Sequence, residues 1–133
     1  MLGKLILWIS AIAFTGYGLA CLFSPTLPAE MAGLAVMGGD GFAELSAMYG
    51  GLQTGVGLFC ALAAMRADLY RPALLLLVLA IGALALGRLI AVVTGAGDVG
   101  FYTWGAMAYE FATAILAFIA LRSGRPAAQV ATG

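Results

Sequence analysis

Residues 72–93 read PALLLLVLAIGALALGRLIAVV, twenty-two positions with a single charged side chain, Arg88. At a rise of about 1.5 Å per residue, about 20 apolar residues cross a hydrocarbon layer about 30 Å thick. The stretch is therefore long enough to span a bilayer. Its apolar residues are continuous rather than alternating, which excludes the short alternating strands of an outer-membrane barrel. Working outward, three more runs of similar character cover about 5–23, 42–65 and 103–121. Short connections join the four, so residues 1–133 are expected to form one domain, an all-α bundle of four transmembrane helices. The composition agrees: 64% of the residues are hydrophobic, 9% are charged and the mean hydropathy is +1.08. Such a chain has too little polar surface to cover a water-soluble globule.

The first run has a basic residue near its start, as a signal peptide does. It is too long and lacks a clear cleavage site before a polar start, so it reads as a retained span. Orientation follows from the Lys and Arg bias. Lys4 precedes the first run, Arg66 and Arg71 lie between the second and third, and Arg122 and Arg125 follow the fourth, whereas the other two loops carry Glu30, Asp40 and Asp98. Both termini are therefore expected in the cytoplasm of a bacterial cell, with the chain in the inner membrane. Net charge is zero and no basic run appears, which removes nucleic acid as a partner. The chain has no histidine, so the usual ligands of haem, copper, zinc or iron are missing. No metal site and no cofactor are expected. Cys21 and Cys60 fall at opposite depths of their spans and read as reduced core thiols.

Ser24, Pro25 and Pro28 end the first span. The mildly apolar stretch 29–37 is expected to lie at the interface as a short helix, either a connector or a lid, before the hinge at residues 38–41. The tail, residues 123–133, is expected to be flexible. On span two, Ala43, Ala47, Gly50, Thr54, Gly57, Ala61 and Ala64 recur at spacings of four and three and form a seam of small residues that lets another helix approach closely. On span four, Ala106, Thr113, Ala114 and Ala117 share a face with Glu110 and turn it toward the bundle interior.

Arg88 lies roughly 24 Å from the cytoplasmic start of span three and Glu110 about 10 Å from the outer end of span four, so the two are near-level across an antiparallel hairpin. An isolated arginine at mid-membrane costs about 2.5–3.5 kcal/mol on insertion scales, which makes pairing the expected solution. Glu44 sits near the outer end of span two, with Tyr49 a turn below and Gln53 near the midplane. Together Arg88, Glu110, Tyr49 and Gln53 form the candidate ligand-binding site, with Glu44 either joining it or simply reaching water at the boundary: Arg88 the anchor for an anion or carbonyl, the carboxylates counter-ions or proton acceptors, Tyr49 and Gln53 orienting hydrogen-bonders. The competing reading is a structural ion pair that fixes helix register. Trp8, Trp104 and Tyr102 read as an aromatic belt.

The segment from Glu44 to Phe59, ELSAMYGGLQTGVGLF, with Ala85 to Leu89, ALGRL, resembles an uncharacterised family of small four-helix bacterial membrane proteins, a domain of unknown function. The likeness runs from span one through span four. Glu44, Tyr49, Gly50, Gly51, Arg88 and Glu110 match the family pattern, and Ser46 stands where that pattern has an arginine. The resemblance implies architecture and no established activity.

Three functions fit these residues. The first is a non-catalytic membrane protein that binds a lipidic or quinone-like small molecule, or serves as an accessory subunit of a larger membrane complex, with homo-oligomers also open. The second is a proton-coupled small-molecule transporter working through Glu110, which Arg88 would oppose by holding the carboxylate ionised. The third is an intramembrane lipid isomerase or transferase using Glu110 and Glu44 as acid and base. No spacing demands that chemistry, so no catalytic residue is assigned.

Overall fold

The computed structural model describes residues 1–95 and 97–123. Apart from Ser123, the expected flexible tail lies outside the described residues. The elements are α1 (Leu2–Phe23), a short α2 (Leu27–Ala32), α3 (Gly38–Met65), α4 (Ala67–Val93) and α5 (Phe101–Ser123). Four of these, all but α2, are long and apolar enough to cross a membrane. Each helix runs a few residues past the apolar stretch that predicts it, because hydrogen-bonded turns continue into the polar flanks.

Local chemistry sets the breaks. Ser24 and Pro25 follow α1, Pro28 opens α2, and Gly33 closes α2 at φ 69°, a left-handed conformation that glycine adopts without penalty. The expected helix in the first loop is present, but it ends at Ala32 rather than running on to residue 37. Between α3 and α4 a single residue, Arg66, turns the chain at φ −115°, ψ 121°. Its guanidinium holds Asp68 of the first turn of α4, Nε to Oδ1 at 3.2 Å and Nη2 to Oδ2 at 2.8 Å.

In lipid, burying one apolar side chain against another gains little over leaving it among acyl chains, so close packing decides which faces meet. The closest packing is between α1 and α3. A Cβ built on Gly57 would stand 2.5 Å from the Thr15 backbone N and 3.0 Å from the Ala11 carbonyl O; one on Gly18 would stand 2.5 Å from the Thr54 backbone N. The two helices therefore touch backbone to backbone through reciprocal glycines. α5 packs on α1 and along α4, and α4 meets α3 beside the Arg66 turn. Leu7, Leu74 and Leu77 are completely buried where these helices converge.

The seam on α3 is only partly as the spacing predicts. Gly50 and Gly57 are buried and Thr54 and Ala61 half-buried, but Ala43 and Ala47 are exposed. The cause is a π-helical turn over Ser46–Gly51. One extra residue in that turn rotates everything before it by about 100° relative to a regular α-helix. Gly41, Leu45 and Ser46 are the partly buried residues of this stretch instead of Ala43 and Ala47. Outside, Ala47, Gly51 and Gly55 line up at spacings of four on an open face of α3.

Cys21 and Cys60 are both unpaired and fully buried. Neither thiol is expected to react with a maleimide in the folded protein, and both should react once it is denatured. Labelling followed by intact-mass measurement checks this.

Candidate functional site

The hairpin of α4 and α5 brings Arg88 and Glu110 together, as their symmetric placement in the sequence predicts. Arg88 Nε donates to both carboxylate oxygens, at 2.9 Å to Oε1 and 3.0 Å to Oε2. Glu110 lies deepest, its side chain 8% exposed, while that of Arg88 keeps 28%. Around Glu110 the small face of α5 behaves as expected: Thr113, Ala114 and Ala117 are buried.

The pair is not sealed between helices. It forms part of the wall of an open-sided cavity of about 310 Å³ lined by residues of α1, α2, α3, α4 and α5. Tyr49 and Gln53 of α3 line the same cavity, so four of the five candidate residues converge. Tyr49 stands within the π-helical turn and Gln53 one turn further on, which puts both on the inward face. Glu44 is the exception. It is exposed and takes no part in the cavity wall, because it precedes the π turn and rotates outward with Ala43 and Ala47.

Three tyrosines complete the site. Tyr17 of α1 and Tyr102 of α5 approach hydroxyl to hydroxyl at 3.4 Å. Arg88 Cζ lies 5.8 Å from the centroid of the Tyr102 ring, within cation–π range. Tyr109 lines the cavity edge-on to Phe14, ring centroids 6.1 Å apart. Its hydroxyl is buried with no hydrogen-bond partner among the described residues, as are Ser10 Oγ and Thr54 Oγ1. Tyr102 therefore corrects the aromatic-belt expectation: it faces inward, under the guanidinium. Trp8 and Trp104 do lie on the outside, 44% and 51% exposed. Met31 of α2 covers part of the cavity, so the first-loop helix contributes to the site.

Sequence reasoning did not single out Tyr17, Tyr109 or Phe14. A signal existed on α5, where Tyr102, Ala106, Glu110 and Thr113 recur at spacings of four, four and three. On α1, Ala13 and Tyr17 are also four apart, but nothing in a uniformly apolar helix marks which face turns inward.

The arrangement supplies hydrogen-bond donors over an apolar floor. Glu110 takes both of its hydrogen bonds from Nε of Arg88, and the rest of the guanidinium lies beside Tyr102. The ion pair is neutral as a unit, and no other formal charge lines the cavity. No group of three His, Cys, Asp or Glu able to hold a metal occurs among the described residues.

No curated protein and no solved structure matches the chain. A family model described as a domain of unknown function, DUF4345, matches residues 2–121, which bears out the resemblance seen in the spans. The four-helix membrane bundle with its Arg88–Glu110 pair thus belongs to the DUF4345 family.

Proposed function

We propose that this membrane protein binds a small, neutral, amphipathic molecule in the Arg88 cavity. The ligand presents a carbonyl or phenolic oxygen to the guanidinium and rests its apolar body on Phe14, Ala13 and Ala106. The observation that carries this reading is the half-committed arginine: Glu110 takes both of its hydrogen bonds from Nε of Arg88, and the pair lines the cavity instead of being packed away from it. A purely structural pair would be expected to use the bidentate Arg–carboxylate fork and to sit in close packing. A volume of about 310 Å³ is at the lower end of small-molecule pockets, which run about 300–1,000 Å³. It suits a single ring with short substituents, the size of a quinone head group. Charge favours neutrality, since an anionic ligand would meet the Glu110 carboxylate and a cationic one the Arg88 guanidinium.

Three probes of equal chain length test this: an alkylated benzoquinone, an alkyl carboxylate and an alkyl trimethylammonium. Thermal unfolding in detergent is the readout, because a ligand at a hundred times its Kd stabilises by about 2.7 kcal/mol. The quinone should raise the unfolding temperature by several degrees and the two ions should not. A larger effect from either ion would reject the neutral-ligand reading. Tyr102→Phe should weaken the quinone effect by roughly the worth of one hydrogen bond, about 1 kcal/mol, while leaving the fold intact.

A second reading rests on the open face of α3. Ala47, Gly51 and Gly55 are exposed, and a Cβ on Gly55 would meet nothing within 4 Å. Such a face suits docking of another helix, as an accessory subunit requires. We also place the chain in a bacterial inner membrane with its termini in the cytoplasm, on the charge bias alone. A cysteine at Asp98 should then react with an impermeant maleimide in intact cells, and one at Lys4 only after lysis.

A further inference from the structure

A second cavity, of about 330 Å³, lies at the opposite end of the bundle, between the start of α1 and the α3–α4 turn. Lys4, Arg66 and Tyr70 line it, and its apolar side is Ala63, Ala64 and Met65. We propose that it seats the phosphate headgroup of an anionic phospholipid, with an acyl chain running down the Met65 side.

Four observations converge. First, the cationic groups are disposed to take an anion. Lys4 is exposed and has no ion-pair partner among the described residues, and Arg66 gives Nε and Nη2 to Asp68 while Nη1 makes no hydrogen bond. Second, Tyr70 lines the cavity and lies hard against Gly3: a Cβ there would stand 2.8 Å from Tyr70 Cζ, so glycine leaves room for the phenol where it stands. The Tyr70 phenol shares the cavity wall with the two charges. Third, the floor is apolar, with Ala63 and Ala64 buried and Met65 64% exposed, which a soluble phosphate site would not need. Fourth, this end is net basic, with Lys4, Arg66, Arg71 and Arg122 against Asp68 among the described residues. Arg71 Nη1 donates to the Leu121 carbonyl at 3.3 Å, and Arg122 follows directly in the chain. A helix end carrying lysine and arginine at membrane-surface depth attracts anionic lipid, roughly fivefold in affinity for each basic side chain.

The phosphate could come from a lipid or from solution, and the floor decides for the lipid. The test uses the full chain in phosphatidylcholine nanodiscs with and without phosphatidylglycerol, and in detergent with inorganic phosphate. Native mass spectrometry counts retained lipids, and thermal unfolding reads stabilisation. Phosphatidylglycerol should be retained in preference to phosphatidylcholine. Lys4→Gln should reduce its apparent affinity about fivefold, and Lys4→Gln with Arg66→Gln about 25-fold. Lys4→Arg should restore it, which separates loss of the site from loss of the fold. Equal retention of the two lipids would overturn the proposal, as would unchanged retention in the double variant. Stabilisation by inorganic phosphate equal to that by phosphatidylglycerol would show a soluble-anion site instead and overturn the lipid assignment.

Discussion

Gly57→Leu should strongly destabilise the bundle, whereas Gly55→Leu, two residues away, should fold normally. Gly57 faces Thr15 and Ala11 of α1 at backbone contact, and the atoms a side chain would strike include main-chain nitrogen and oxygen. Main chain cannot step aside as a flexible side chain can. Overpacking a well-packed core costs typically 1–3 kcal/mol and occasionally more. A leucine forced between two helix backbones belongs at the upper end, and separating α1 from α3 would also open the wall of the Arg88 cavity. Gly57→Ala should be tolerated less well than an ordinary surface change, with about 1–3 kcal/mol lost. Gly55 has open space around it, so its substitution should stay within about 0.5 kcal/mol. The paired measurement reads the register of α3 directly: unfolding temperature in detergent for the four variants Gly57→Leu, Gly57→Ala, Gly55→Leu and Gly55→Ala. Equal effects at the two positions would mean that α3 presents a different face to α1.

Arg88→Ala should be the most damaging single change at the cavity. It leaves Glu110, its side chain 8% exposed, without a counter-charge. Breaking a buried pair from one side costs about 3–5 kcal/mol, because the remaining charge is stranded. Arg88 keeps 28% of its side-chain surface, which places the expected loss nearer the lower figure. Removing both charges should behave differently. Arg88→Met with Glu110→Leu replaces the pair by apolar groups of similar volume, and such replacements are often neutral or stabilising. The double variant should therefore recover most of the stability lost in Arg88→Ala while binding nothing in the cavity. Denaturant or thermal unfolding of the single and double variants gives the coupling energy. A double variant as unstable as the single one would mean that the pair holds the helices together and that its place on the cavity wall is incidental.

The spans, their order and the hairpin partnership of Arg88 with Glu110 were legible because each depends on one quantity, the rise per residue along a helix. The convergence of Tyr49 and Gln53 on that pair was legible for the same reason. Side-chain direction was not, wherever the helix departs from 3.6 residues per turn. The π-helical turn over Ser46–Gly51 adds one residue, and no composition rule announces it, so the spacing puts Ala47 on the inward seam and leaves the direction of Glu44 open, whereas both are exposed. Tyr102 went astray through depth. A tyrosine near the end of a span satisfies the aromatic-belt pattern whichever way it points, and only its partner across the bundle, Tyr17, shows that it points inward. The cavity itself depends on how five helices meet, a property of their mutual packing rather than of any one segment.

The central claim is that the Arg88 cavity holds a ligand. Native mass spectrometry of the protein released gently from its own membrane, run on the wild type and on the Arg88→Met, Glu110→Leu variant, tests it most directly. A discrete small-molecule adduct on the wild type, absent from the folded double variant, is the predicted result. The same adduct on both proteins, or a bare chain in both, would contradict it and leave Arg88 and Glu110 as a structural pair.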